Sequence, residues 1–319
     1  MQHGFWGKLK KPFFVLAPMA DVTDAAFRRI IAKYGKPDVL YTEFVSTDGL
    51  LSPGREKLLV DFLHTEAERP IVAQIFGTKP DYFETVAAQV AEMGFDGIDI
   101  NMGCPDRSLV AAGSCAGLID NPKLAQEIIR ATQRGAGKLP VSVKTRLGTK
   151  KNVLESWLPT LLETEPAVIT LHARTAKELS LVPAKWEFVA RAVEIAKGSG
   201  TLVVGNGDVK NLDEARARVA ETGCDGVMLG RGIFGNPFLF NETIDLSTIT
   251  LSKKLEILLE HAQLFEELLP EKNFAIMRKH FGAYVKGFDG AAALRAQLME
   301  VLNSEELKKV VSPYIDSGE

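Results

Sequence analysis

Five residue types stand at positions where they could do chemistry: the thiol of Cys104, the amides of Asn101 and Gln74, the amine of Lys144 and the imidazole of His172. Two of them share one short stretch, Ile98-Asp-Ile-Asn-Met-Gly-Cys-Pro105. The alternation Ile98, Ile100, Met102 predicts a strand. Gly103 allows a sharp turn, and Pro105 fixes its own φ and offers no N–H, so the strand ends there. Asn101 is left at a strand tip and Cys104 on the loop beyond it. A thiol so placed suits proton transfer or nucleophilic attack. The alternative is a small apolar filler, for which a turn after a strand is a poor location.

Lys144 ends a fifth predicted strand, Val141 to Thr145, where it either snorkels at the rim or points into a site. His172 closes a sixth, and Arg174, two residues on, shares its face if the strand persists. A single histidine is more often structural than catalytic. Here Gln74, Asn101, Lys144 and His172 all fall at the C-terminal ends of predicted strands, where α/β barrels place their active sites. Gly205-Asn206-Gly207-Asp208 and Gly230-Arg231-Gly232 follow the seventh and eighth strands. Loops at those positions commonly bind phosphate through backbone N–H groups, a helix N-terminus and an arginine. Three scattered cysteines, Cys104, Cys115 and Cys224, give neither a complete disulfide framework nor zinc-ligand spacing, so no metal is expected. A G-x-S-x-G elbow and a P-loop are absent from the sequence.

The elements that must position these residues alternate short apolar strands with amphipathic helices, the pattern of parallel β/α units. Strands are predicted at Phe13–Pro18, Val39–Phe44, Ile71–Phe76, Ile98–Met102, Val141–Thr145, Val168–His172, Leu202–Gly205 and Val227–Leu229. Helices are predicted at Asp24–Tyr34, Asp81–Met93 and Pro122–Arg134, and the remaining connections are long enough for right-handed crossovers. Eight strands predict a (β/α)8 TIM barrel over residues 1–243. From about residue 244 the pattern is helical only, at Leu251–Leu269, Phe274–Lys286, Ala291–Leu302 and Glu305–Val311, which predicts a small all-helical domain over 244–319.

The 319 residues, 46% hydrophobic and 25% charged, describe a soluble globular chain. No apolar run reaches membrane-spanning length, and Met1 to Lys11 lacks the apolar core of a signal peptide, so a cytoplasmic protein without a membrane partner is expected, working as a monomer. A net charge of −3 supplies no overall attraction to nucleic acid, though a local basic face would. Candidate cations for such a face are Lys8, Lys10, Lys11, Arg278, Lys279, His280, Lys286, Arg295, Lys308 and Lys309. Arg278 and Lys279 stand beside Phe281 and Tyr284, charge interleaved with rings that could stack on bases.

In order and spacing, several stretches together resemble the tRNA-dihydrouridine synthase family across nearly the whole chain. They are Ala17-Pro-Met-Ala-Asp-Val-Thr-Asp24, Tyr41-Thr-Glu43, Gln74, Asn101-Met-Gly-Cys-Pro105, Val143-Lys144, His172-Ala-Arg174, Gly205-Asn-Gly-Asp208, Gly230-Arg-Gly-Ile-Phe-Gly-Asn-Pro237 and Met277–Lys286. The resemblance implies an FMN enzyme, reduced by NADPH, that saturates the C5–C6 double bond of particular uridines in tRNA. It implies that Pro18, Met19 and Ala20 line the flavin ring, with Gln74 and Lys144 at its polar edge. His172, Asn206, Gly207, Asp208, Gly230 and Arg231 would hold the ribityl phosphate end. Cys104 would donate the proton to C5, and Asn101 and Arg174 would orient the base. Arg278, Lys279 and Tyr284 would contact tRNA. The chain departs from the family's pattern in having no lysine between Pro105 and Asp120, with Cys115 near an expected glycine, and in the segment Ala176–Ala184.

Other readings remain at this stage. A flavin barrel acting on a free pyrimidine or small enone would have no use for the helical tail. A non-catalytic RNA-binding relative would not need Cys104, Lys144 and His172. A sugar-phosphate isomerase would not explain the apolar Ala17-Pro-Met-Ala20 run.

Overall fold

The computed structural model describes residues 3–286 and 288–316. Met1 and Gln2, the start of the segment read as lacking an apolar leader, lie outside them, as do residues 317–319 of the helical region.

Eight strands form, β1 (Phe13–Leu16), β2 (Leu40–Ser46), β3 (Ile71–Phe76), β4 (Gly97–Met102), β5 (Val141–Arg146), β6 (Val168–His172), β7 (Leu202–Asn206) and β8 (Gly226–Leu229). Each pairs in parallel with its sequence neighbour from β2 to β8, and β8 pairs with β1. The ring closes where Val15 bridges Val39, with Leu16 N donating to Val39 O at 3.2 Å and Asp38 N to Phe14 O at 2.9 Å. This is the (β/α)8 barrel expected from the eight apolar runs.

Local signals place the surrounding helices. Asp24 Oδ1 accepts from Phe27 N at 2.9 Å and caps the helix Ala25–Tyr34. Prolines begin the helices Pro80–Glu92 and Pro122–Ala136. The connections left as crossovers contain the helices Leu154–Leu162, Glu187–Ala196 and Leu212–Thr222. Each turns an apolar stripe to the barrel, such as Val189, Ala192 and Ala196.

Beyond residue 250 the helices Leu251–Leu268, Arg278–Tyr284, Ala291–Glu300 and Ser304–Asp316 share a second core, including Leu258, Phe265, Phe281 and Leu294. Ala26 and Ile30 of the barrel helix Ala25–Tyr34 belong to the same core, so the helical layer is fastened to the barrel's flank. The helix expected over Phe274–Lys286 is a 3-10 turn, Phe274–Met277, followed by the helix Arg278–Tyr284, which stops two residues early.

That helix corrects one expectation. Tyr284 is 2% exposed, and His280 and Phe281 are fully buried. Residues 277, 280, 281 and 284 recur at helical spacing and form the inward stripe, so neither ring is a stacking platform and His280 is not part of a basic surface. Lys279 remains exposed and Arg278 half-buried. Among the described residues no helix is long and apolar enough to cross a membrane.

Candidate active site

Strand register builds the site. Asn101 lies beside Lys144, and Arg146 beside His172, which lies beside Asn206. Side chains two apart on a strand share a face, so Asp99 with Asn101, and Lys144 with Arg146, all point into the barrel. A register shift between Tyr41 and Phe44 in β2 re-aims Phe44 toward the same opening. The result is a cavity of about 740 Å³ at the C-terminal ends of the strands.

Thirteen of the seventeen residues singled out from sequence line it: Pro18, Met19, Gln74, Asn101, Cys104, Lys144, His172, Arg174, Asn206, Gly207, Asp208, Gly230 and Arg231. Ala20 does not. The turn held by Thr23 N on Met19 O (3.0 Å) and Met19 N on Thr23 Oγ1 (3.0 Å) directs Ala20 outward, and it is exposed. Arg278, Lys279 and Tyr284 lie on the helical layer, away from the cavity wall. Lys279 Nζ nevertheless reaches Asp21 Oδ2, in the loop after β1, at 2.9 Å, which brings that layer alongside the mouth.

The walls divide by chemistry. Ala17, Pro18, Met19, Val209 and Met228 form an apolar part. Elsewhere Lys144, Arg146, Arg174, Lys210 and Arg231 converge with a single carboxylate, Asp208. Such an excess of positive charge in a recessed site suits an anion. Gly207 has φ +130°, a conformation that side chains rarely adopt, and lets the chain double back after β7. Asp208 Oδ1 accepts from Arg231 at 3.1 Å, and Arg174 also donates to Asp208.

Arg174 is deeply held. Its Nε donates to Val182 O at 2.6 Å and its Nη1 to His172 Nε2 at 3.2 Å. Since a guanidinium only donates, His172 carries its proton on Nδ1. Desolvation first, then Lys144 and the surrounding arginines, push His172 far below its ordinary value, so the ring is neutral. Lys144 Nζ donates to Asn206 Oδ1 at 3.3 Å, and desolvation, aided by Arg146, pushes it down to about 8.

The Cys104 loop is fixed by Asn101, whose Oδ1 accepts from Gly103 N at 3.0 Å and Cys104 N at 2.9 Å. Arg146 Nε donates to Gly103 O at 2.6 Å. Cys104 is half-buried, and its thiol is lowered from its ordinary value, chiefly by a hydrogen bond with the thiol of buried Cys115. The Asp106 N–H and the Arg146 charge add to this, against desolvation. Arg146 was not singled out from the sequence, although its two-residue spacing from Lys144 was the available signal. Among the described residues no cluster of three or more His, Cys, Asp or Glu could hold a metal.

The chain is 39% identical over 320 residues to a probable tRNA-dihydrouridine synthase of Staphylococcus aureus (strain MRSA252), covering 98% of this chain and 96% of that one. It is 38% identical to a probable tRNA-dihydrouridine synthase 2 of Bacillus subtilis (strain 168), covering 98% and 97%. Among solved structures, a variant of NCR from Zymomonas mobilis superposes with a TM-score of 0.54 at 17% identity, covering 78% of this chain and 92% of that one. Histamine dehydrogenase from Rhizobium sp. 4-9 gives 0.55 at 15%, covering 79% and 48%. At those identities the two structures speak for the fold alone. The sequence profile of the dihydrouridine synthase (Dus) family matches residues 15–317, and the chain belongs to that family.

Proposed function

We propose that this chain is an FMN-dependent tRNA-dihydrouridine synthase of the cytoplasm, acting as a monomer, with residues 1–243 catalytic and 244–319 contributing to the grip on tRNA. The observation that carries the proposal is a half-buried thiol poised at the mouth of a cavity that is apolar on one wall and strongly cationic on another. A flat ring system ending in a phosphate matches both walls.

Pro18 and Met19 would lie against the ring, with Gln74 and Lys144 at its polar edge. His172, Asn206, Gly207, Asp208, Gly230 and Arg231 would hold the phosphate end. When bound and reduced by NADPH, FMN supplies the hydride that C6 of the uracil accepts. Cys104 gives its proton from Sγ to C5. Asn101 and Arg174 face the space a base would enter, and each keeps N–H donors beyond those already used within the protein. The target uridine must leave its stack to reach a thiol half-buried in the cavity wall. Lys279, close to the mouth, and Arg278 would meet the tRNA backbone.

The purified protein should show absorbance bands near roughly 370 and 450 nm that bleach with NADPH in the absence of air and return on adding unmodified tRNA. Protein that stays colourless after reconstitution with FMN would remove the proposal. Cys104→Ala should keep the flavin while slowing uridine reduction on the order of 10²-fold, the size of a general-acid contribution. Unchanged turnover would refute the proton-donor role.

A further inference from the structure

Deep in the barrel lies a carboxylate that the mechanism above leaves without a task. Asp99 stands two residues before Asn101 on β4, facing the same way, and is fully buried. Its Oδ1 accepts from Ser142 Oγ at 2.6 Å and its Oδ2 from Gln74 Nε2 at 2.7 Å. Gln74 Oε1 in turn accepts from Asn101 Nδ2 at 3.1 Å. Asn101 Oδ1 then receives the N–H groups of Gly103 and Cys104. The chain of bonds runs without a gap from the buried carboxylate to the backbone of the proposed acid.

Its direction follows from what each group can do. Desolvation raises Asp99 to about 6, with Ser142, Gln74 and the charge of Lys144 opposing the rise, so the group is ionised at neutral pH and can only accept. Gln74 must therefore turn its NH2 toward Asp99 and its oxygen toward Asn101. Asn101 must turn its NH2 toward Gln74 and its oxygen toward the Cys104 loop. A neutral amide at position 99 would permit the inverted arrangement, in which Asn101 turns its NH2 on two backbone donors. A carboxylate forbids it.

We infer that Asp99 is a positioning residue for the reaction, imposing one orientation on Gln74 and Asn101 and so holding Cys104 in place. The inference rests on the reading of Cys104 as proton donor, but its hold on the loop can be measured without turnover.

Asp99→Asn is nearly isosteric and removes a buried charge, so it should fold and keep its flavin. Reduction by NADPH, in which Cys104 has no part and which Asp99 reaches only through the Gln74 amide at the flavin edge, should slow less than reoxidation by tRNA. Reoxidation by tRNA should slow about tenfold at unchanged KM, the pattern of a lost positioning contact. In the same holoenzyme, the rate at which iodoacetamide alkylates Cys104 should change severalfold. Adding Gln74→Glu should bring alkylation back toward wild type, because a carboxylate at position 74 accepts both from the new amide and from Asn101. Gln74→Glu alone sets two carboxylates face to face and should not recover it. Ser142→Ala, which leaves the Gln74 bond in place, should alkylate like wild type. Wild-type alkylation and tRNA reoxidation in Asp99→Asn would overturn the inference, as would equal slowing of both half-reactions. If Cys104→Ala leaves turnover unchanged, the acid role falls, while the alkylation rates still decide whether Asp99 holds the loop.

Discussion

At Cys104 the neighbours that fix position differ from those that fix acidity. Asn101 holds the backbone, whereas the strongest influence on the thiol is its hydrogen bond with Cys115. An acid works only in its protonated form, and the neighbours of the proposed acid lower its thiol below the ordinary value, so kcat/KM for tRNA should begin to decline at a pH below the usual thiol range. Removing the Cys115 thiol removes support for the Cys104 thiolate, and the declining limb should move to higher pH. Cys115 has φ +51°, which glycine adopts freely, so in Cys115→Gly the relieved backbone strain offsets part of the buried packing that is lost, while Cys115→Ala keeps the strain and serves as a check on it. The pH dependence of Cys104 alkylation tests this, and an unshifted midpoint would exclude the thiol pair as its cause. The sequence showed Cys115 as a departure near an expected glycine, but nothing in the spacing said that its side chain would return to Cys104. That contact arises where Ala116 N closes on Cys104 O at 3.3 Å, a fold-back that residue types alone do not encode.

Strands and the residues at their tips were legible because two signals coincide in each: an apolar run for a strand covered by helices, and a glycine, proline or polar break where it ends. The helical layer was harder to read. On Arg278–Tyr284, charges beside aromatic rings look the same whether the rings are buried or offered to a base. Only the 277, 280, 281, 284 spacing distinguishes the two, and it favours burial. The contact between layers was invisible in the sequence, since it joins residues more than two hundred positions apart. Lys272 Nζ donates to Glu43 Oε2 at 2.9 Å and to Asp61 Oδ1 at 2.6 Å, with Glu43 only 5% exposed. Lys272→Met leaves the Glu43 carboxylate buried without its cation and should cost about 3 kcal/mol in urea unfolding. Lys279, paired with Asp21 in the open, should lose no more than about 0.5 kcal/mol on replacement by alanine, yet should weaken tRNA binding in filter retention. Equal stability losses in the two variants would contradict the distinction between a buried tie and a surface cation.

Across the whole molecule, two buried histidines at the join between barrel and helical layer carry a dependence on pH that opposes that of two buried carboxylates, Asp24 and Asp99. His261 and His280 are fully buried with ring centroids 4.7 Å apart, and His280 lies 5.0 Å from Phe27 and 5.7 Å from Phe234. Desolvation, then the charge of Lys279, holds His280 at about 3, and desolvation with His280 nearby holds His261 well below its ordinary value. Folded-state values depressed below the unfolded 6.5 mean that the folded protein binds fewer protons, so this contribution is lost as pH falls below 6.5. Asp24 and Asp99, raised by burial to about 7 and about 6, behave oppositely. Ionising them burdens the fold at higher pH, and acidification toward their ordinary value near 3.8 relieves it. Between pH 6 and 4 the two pairs largely cancel, and the stability of the native chain should change little on their account. His280→Phe removes one side of the balance. Relative to the native chain, the variant should gain about 3 kcal/mol between pH 6.5 and pH 4, since each pH unit in that window is worth about 1.4 kcal/mol for one such group. Urea titrations followed by tryptophan fluorescence at several pH values across this range would measure the difference, in which any fixed packing cost of the phenyl ring cancels. Parallel stability curves for the two proteins would show that the buried imidazole is not what acid attacks at this join.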